Sequence, residues 1–304
     1  MHLTVLSRSP AIYTTRRLVE AARERGHRPR VVDPLEVELG LGERPALYHR
    51  HRRFPRTDVV VPRIGLSVTQ YGLAVVNQFE LLGVPSINGA KGIAASRNKM
   101  RCLQTLARKG VQVPNTVMAS DASKLRQLVK HVGGVPVLVK LLSSSDKGGV
   151  MICETLESLE AALEAILGLG QNILVQQYLR GQDLRALVVG GRVVAAMRRR
   201  ARVGRFARSL AQGAKFERAG LAPAQERAAL ETARIVGLDV CAVDLLDADG
   251  APLVFEVNSS PGIRDAEEVC GVDVAAEVIA WAEARFEAPP RARATAARRV
   301  PREA

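Results

Sequence analysis

At 304 residues, with 47% hydrophobic and 25% charged residues, the chain can bury a real core and is long enough for two or three domains. No run is apolar enough to span a bilayer, and residues 1–6 are too short for a signal-peptide core, so no membrane partner is expected and the cytoplasm is the expected location. Four cysteines without a CxxC pair argue against a zinc site or a disulfide framework, while a net charge of +13 points to an acidic partner such as a nucleotide, nucleic acid or acidic peptide.

Residues 2–6 read as a strand, 12–25 as a helix stopped by Gly26, and 30–33 as a second strand. Strand, helix and strand within some thirty residues form a βαβ unit and require a parallel sheet. Residues 36–56 read as irregular and basic, 58–61 as a third strand and 69–82 as a helix. No GxGxxG follows the first strand, so this is no dinucleotide fingerprint.

Residues 96–109 are expected to form one helix, followed by a strand over 114–118 and a capped helix over 120–131. Residues 136–140 form an apolar strand closing on Lys140, and a lysine so placed is rarely buried without an anionic partner. The small-residue stretch 143–149 then links to a strand over 150–153, a hairpin flap that can present backbone N–H groups to phosphate. A helix over 156–167, a strand over 172–178, and a hairpin of 184–189 with 192–197 follow. Residues 203–216 are basic and without periodicity, and a long loop of that kind inside a compact domain is usually functional. Helices over 223–236 and 272–286 bracket a second hairpin, and the arginine-rich tail after Pro289 reads as disordered.

That hairpin, residues 239–263, carries the sharpest signal. Both strands are apolar except for Asp244 and Glu256. A three-residue turn (Asp249, Gly250, Ala251) sets Ala248 opposite Pro252 and Asp244 opposite Glu256, with Asn258 on the same face. Two facing carboxylates repel unless a cation sits between them, and such hard oxygen donors suit Mg²⁺ with nucleotide phosphates. A two-residue turn would flip Glu256 to the other face. The bland alternative is an acidic edge hairpin with solvated charges.

The order of these stretches resembles the ATP-grasp ligases of the RimK type, which include the enzyme that adds L-glutamate to the C-terminus of a ribosomal protein. The resemblance rests on Leu6-Ser7-Arg8, Val61-Pro62-Arg63-Ile64-Gly65, SRNKMRCLQTLARKGVQVP (96–114), GGVPVLVKL, DLRALVVGGRVVAAM, AVDLL and FEVNSSPGI, and spans all but the tail. It implies an α/β (α+β) ATP-grasp fold with a small parallel-sheet domain over 1–90, a central subdomain with the flap over 91–176, a C-terminal subdomain over 177–287, and a basic tail over 288–304.

By position, the resemblance puts Lys99 and Lys140 on ATP phosphates, Gln177, Tyr178 and Leu179 on adenine, and Asp183 on the ribose. Asp244, Glu256 and Asn258 would bind Mg²⁺, with Mn²⁺ as an alternative. Arg199 and Arg200 would flank the reacting phosphate as the catalytic pair, and Ser209 stands where the family has an asparagine near metal or phosphate. The implied chemistry is ATP-dependent joining of a carboxylate to an amine through an acyl phosphate, adding L-glutamate or a similar amino acid to an acidic protein or peptide, in a homo-oligomer. The chain departs from the family at Asn98, where aspartate is usual, at Gln177, where glutamate is usual, and in stretches 143–149 and 207–214. Those departures leave open a relative that binds nucleotide without turnover. A basic RNA- or ribosome-binding protein is the other alternative, although 4% aromatics gives little material for base stacking.

Overall fold

The computed structural model describes residues 1–119, 125–141, 150–167, 173–200, 215–248 and 251–286. Strand β1 (His2–Leu6), helix α1 (Tyr13–Glu24) and strand β2 (Arg28–Val32) form the expected right-handed start. Leu18, Ala21 and Ala22 line the buried face of α1, and Gly26 turns the chain at a φ of +77°. Residues 36–56 are not irregular: β3 (Val37–Gly40), β4 (Ala46–His49) and β5 (Arg52–Arg53) form an antiparallel sheet. The sequence signal is weak there because only Val37 and Leu47 are fully buried. Arg50 pairs with Glu36 and Arg56 with Asp58, while His49 and His51 lie against Glu36 and Glu38.

Strand β6 (Val59–Pro62) completes a parallel sheet in the order β2-β1-β6, and α2 (Thr69–Leu81) covers it. The helix expected over 96–109 is two, α3 (Ala90–Arg97) and α4 (Lys99–Arg108). Asn98 breaks them with extended backbone, and its side chain caps α4 by accepting from Arg101 N at 3.0 Å.

The middle of the chain is a four-stranded antiparallel sheet in the order β7 (Thr116–Ala119), β10 (Ile173–Gln177), β8 (Val137–Leu141), β9 (Val150–Cys153), with α5 (Leu125–His131) and α6 (Leu156–Leu167) packed on it. It has its own core around Val139, Leu159, Leu163 and Val175. Strands β11 (Gln182–Val189), β12 (Arg192–Arg200), β13 (Lys215–Arg218), β14 (Val240–Ala248) and β15 (Ala251–Asn258) build the second antiparallel sheet, ordered β13-β12-β11-β14-β15. Helix α7 (Pro223–Val236) covers one face, starting at a proline and ending at Gly237 in the left-handed conformation.

The expected closing helix begins at Val274 as α9 (Val274–Phe286), preceded by an unanticipated short helix, α8 (Arg264–Cys270). Leu3, Val5 and Val59 of the N-terminal sheet share one core with Leu187, Ala242, Val278 and Ile279. The first and last parts of the chain therefore make one body, against which the middle sheet stands as a second lobe. No helix among the described residues is long and apolar enough to cross a membrane.

Candidate nucleotide and metal site

The hairpin of β14 and β15 reaches the expected facing pair by a different route. Ala248 pairs with Ala251 rather than Pro252, so the turn is one residue shorter than the three-residue form. A regular ladder from there would set Phe255 opposite Asp244. Instead a β-bulge between Asp244 and Leu245 absorbs one extra residue on β15, and Asp244 again faces Glu256. Asn258 lies two residues on, opposite Ala242, and its Oδ1 accepts from Ser260 N at 2.8 Å.

Asp244 is 2% exposed and sits directly across from Arg185 of β11. Arg185 donates from Nε to Oδ1 at 2.6 Å and from Nη2 to Oδ2 at 2.7 Å, a bidentate pair, and Arg199 Nη2 adds a bond to Oδ2 at 3.3 Å. Burial alone would push the Asp244 carboxyl up, but Arg185 and Arg199 outweigh it and hold it below the usual aspartate range. Arg185 was not singled out from the sequence. The available signal was the same as for Asp244, a charge interrupting an apolar strand.

Arg199 Nη1 also donates to Asp183 Oδ2 at 3.0 Å, bridging the two aspartates. Burial moves the Asp183 carboxyl up to about 6 despite Arg199, and its Oδ1 is buried without a hydrogen-bond partner. That orphaned acceptor opens the possibility of a hydroxyl donor from a ligand. Arg200, next along β12, is 64% exposed and bonded to Glu217 at 2.7 Å, so of the expected arginine pair only Arg199 meets the carboxylates.

Lys140 is 5% exposed and has no hydrogen bond or ion pair among the described residues; its Nζ stands 5.1 Å from the centre of the Phe255 ring. Burial lowers its pKa to about 8, Glu256 pulling it up and Lys99 pushing it down. A buried cation held by a ring face alone is poised for an anion. Lys99 heads α4 and reaches Glu256 Oε1 at 3.8 Å. The cap by Asn98 thus does locally what fixes the lysine at the helix start, and aspartate is not required for that.

Between the lobes lies a cavity of about 610 Å³ lined by Lys140, Gln177, Tyr178, Leu179, Asp183 and Arg199, with Leu138, Leu246, Leu253 and Phe255 as its apolar walls. Gln177 N donates to Asn115 O at 2.8 Å, which fixes the end of β10 at the junction of the lobes. An apolar space with lysine and arginine in its lining has the chemistry of a nucleotide site. A second cavity of about 290 Å³ shares Lys99, Glu256 and Asn258 with the metal face.

The donor set was tested for a divalent cation. Among the described residues no three His, Cys, Asp or Glu side chains cluster, so any site has two carboxylates and one amide. Glu256 and Asn258 open onto a cavity, and Asp244 Oδ1 has one arginine on it and a lone pair left. Such an incomplete hard-oxygen set fits Mg²⁺, which fills its shell with water and phosphate. The flap over 143–149, the loop over 207–214 with Ser209, the turn residues 249–250 and the tail lie outside the described residues.

Residues 96–282 match the model of the RimK-like ATP-grasp domain, and residues 1–93 that of the RimK pre-ATP-grasp domain. A protein of Marinomonas sp. named "probable alpha-L-glutamate ligase" is 43% identical over 283 residues, covering 92% of this chain and 94% of its own length. The RimK domain ATP-grasp protein from Sphaerobacter thermophilus superposes with a TM-score of 0.73 at 20% identity, over 92% of this chain and 99% of that one. The ATP-grasp ligase PsnB with minimal precursor, Mg and ADP gives 0.71 at 23% identity, over 92% and 96%.

Proposed function

Because the chain belongs to the RimK-like ATP-grasp family, we propose that its inter-lobe cavity binds ATP, and that the protein extends an acidic protein or peptide by joining L-glutamate to a carboxylate. The family carries the reaction class, ATP-dependent formation of an amide bond. The observation that carries the nucleotide assignment is Lys140, a buried lysine that lines the apolar cavity and has no anionic partner among the described residues. The choice of glutamate rests on the names of relatives such as the Marinomonas protein.

In this reading Leu246, Leu253 and Phe255 sandwich the base, while backbone groups at Tyr178 and Leu179 meet its edge. Asp183 Oδ1 accepts from a ribose hydroxyl. Lys140 and Lys99 approach the phosphates from opposite lobes, and Arg199 adds positive charge beside them. Glu256, Asn258 and Asp244 would hold Mg²⁺, which when bound neutralises phosphate charge. Arg185 keeps Asp244 ionised and correctly turned.

The acceptor carboxylate attacks the γ-phosphate, ADP leaves, and the amine displaces phosphate from the resulting acyl phosphate. No protein nucleophile is required, because the side chains act by positioning and by charge. Two lobes with separate cores allow the cavity to close over the nucleotide.

The test incubates the protein with ATP, Mg²⁺, glutamate and a short acidic peptide, following ADP release and peptide mass together. Stoichiometric ADP release with a mass gain of one glutamyl residue per event is expected. Nucleotide binding without any peptide product would overturn the reading for that acceptor class.

A further inference from the structure

The second cavity reaches beyond Lys99, Glu256 and Asn258 to the N-terminal sheet, past the residues that the nucleotide and its metal would use. It lies between the N-terminal sheet and β15, and Arg63, Arg97 and Lys99 contribute its cations against a single acid, Glu256. Arg63 is held rigidly: its backbone N donates to Leu6 O at 2.8 Å, and its Nη2 donates to Ser260 O at 3.3 Å and Pro261 O at 2.7 Å. Those two carbonyls follow Asn258 directly, so the guanidinium is locked to the metal face.

Among the described residues Arg63 has no carboxylate partner, and its Nε is sealed from solvent with no hydrogen bond. Arg97, which donates to Ile64 O, is its charged neighbour. Burial first and Arg97 second lower the Arg63 pKa to about 10. The protein thus holds two guanidinium groups close together and supplies Arg63 with no counter-charge, an arrangement that an anionic ligand would relieve.

The cavity's place narrows the ligand. It adjoins Lys99, Glu256 and Asn258, the phosphate and metal residues, so a small amine bound against Arg63 lies beside the carboxylate that is to be activated. With about 290 Å³ against about 610 Å³ for the nucleotide side, it suits one small molecule better than a folded chain. Arg63 offers its remaining nitrogen, Nη1, and Ser7, Ser96 and Ser260 add hydroxyls or backbone groups around it.

We propose that this cavity binds the incoming substrate as a free dicarboxylic amino acid and that Arg63 is the residue that pairs its side-chain carboxylate. The inference rests on the ligase reading for the role of that ligand, but the binding site stands on its own geometry. Arg63 acts as a specificity-determining residue: an amide in place of the carboxylate leaves the guanidinium unpaired, so glutamine is rejected.

The experiment is equilibrium dialysis of radiolabelled glutamate with the full chain in the presence of Mg²⁺ and ADP, for the wild type and for Arg63→Gln, with ADP affinity measured in parallel. Glutamate, and not glutamine, is expected to compete for the label in the wild type. Loss of a charge-assisted pair should weaken glutamate by about tenfold or more in the variant, with ADP affinity held within about twofold as the sign that the metal-face loop is intact. Equal glutamate affinity in the variant overturns the inference, as does equal competition by glutamine. A parallel fall in ADP affinity also overturns it, since Arg63 would then act through the carbonyls of Ser260 and Pro261. If an acidic peptide rather than free glutamate loses affinity, the cavity belongs to the acceptor and the inference falls. Selective glutamate binding in a protein that makes no amide would sink the ligase reading and leave this site standing.

Discussion

Lys140 gives the most direct handle on the nucleotide site, because its charge can be titrated without mutation. It is 5% exposed, and burial sets its pKa at about 8 in the ligand-free protein. The protonated form pairs with phosphate, so nucleotide binding must raise that pKa, and affinity must fall as pH rises through the ligand-free value. A group of pKa about 8 is about 90% neutral at about pH 9, which weakens binding by about tenfold relative to about pH 7. The assay is calorimetric or fluorescent titration of Mg–ATP from about pH 7.5 to 9.5, where the phosphates are fully ionised. Adenosine, which has no phosphate, is the internal control and should bind equally across the range. Lys140→Arg should flatten the ATP profile, since a guanidinium keeps its charge throughout. An ATP affinity constant across the range in the wild type, or an arginine variant that falls in parallel, would refute the assignment of Lys140 to phosphate.

Glu256→Gln removes a carboxylate that is 21% exposed and lies 3.8 Å from Lys99, and the amide keeps its shape, so folding should be unaffected while ADP release falls by about 10²–10³-fold; turnover within about threefold of wild type would remove Glu256 from the metal set. Asp183, with its pKa raised to about 6, binds its proton more tightly folded than unfolded. Its contribution to stability is therefore full only below the unfolded value of 3.8 and is lost as pH rises through about 6, by up to about 3 kcal/mol. Urea midpoints of wild type and Asp183→Asn over that window should differ in slope, and parallel curves would contradict the burial argument. Asn88, 2% exposed, donates to Val240 O and Ser259 O and accepts from Asp239 N and Val240 N, at a φ of +62° that alanine adopts poorly. Asn88→Ala should cost about 3–5 kcal/mol of unfolding free energy, and a loss below about 1 kcal/mol would mean those bonds are replaced by solvent.

The elements that could be read from the sequence are those whose burial is clear. Strands β1 and β6 are near-continuous apolar runs, as buried parallel strands are, helices α1 and α7 carry apolar faces of helical period, and punctuation such as Gly26 and Gly237 marks the helix ends. The misread stretches lack that signal. β3 to β5 pair through their backbones while burying only Val37 and Leu47, and their exposed arginines and histidines make them look like a basic loop. Asn98 looks like an ordinary helical residue until its cap on Arg101 N is seen. Asn88 and Arg63 act on carbonyls 150 to 200 residues away, and no local pattern announces a partner at that distance.

The hairpin is the instructive case, because the right pairing came from two compensating departures. The turn is a residue shorter than the reading that set Asp244 against Glu256, and by the alternation rule alone Glu256 should have been lost to the opposite face. The bulge at Phe255 restores it. It also turns the Phe255 ring to within 5.1 Å of Lys140 and makes it a wall of the nucleotide cavity. A regular ladder with a longer turn would give the same facing carboxylates without that ring contact. The extra residue therefore does two things at once: it sets the metal face, and it places an aromatic surface under Lys140, a buried lysine without an anion partner among the described residues. Bulges recur beside active sites because they re-aim side chains in this way, and here the consequence is that charge at Glu256 and packing at Phe255 are coupled. Replacing Phe255 by alanine should leave the Asp244–Glu256 pairing in place yet loosen Lys140. ATP affinity should then fall by a few-fold, as expected for a ring contact worth about 1 kcal/mol, while Mg²⁺ dependence stays unchanged. Loss of Mg²⁺ dependence in that variant would mean that the ring, and not the backbone bulge, holds the carboxylates face to face.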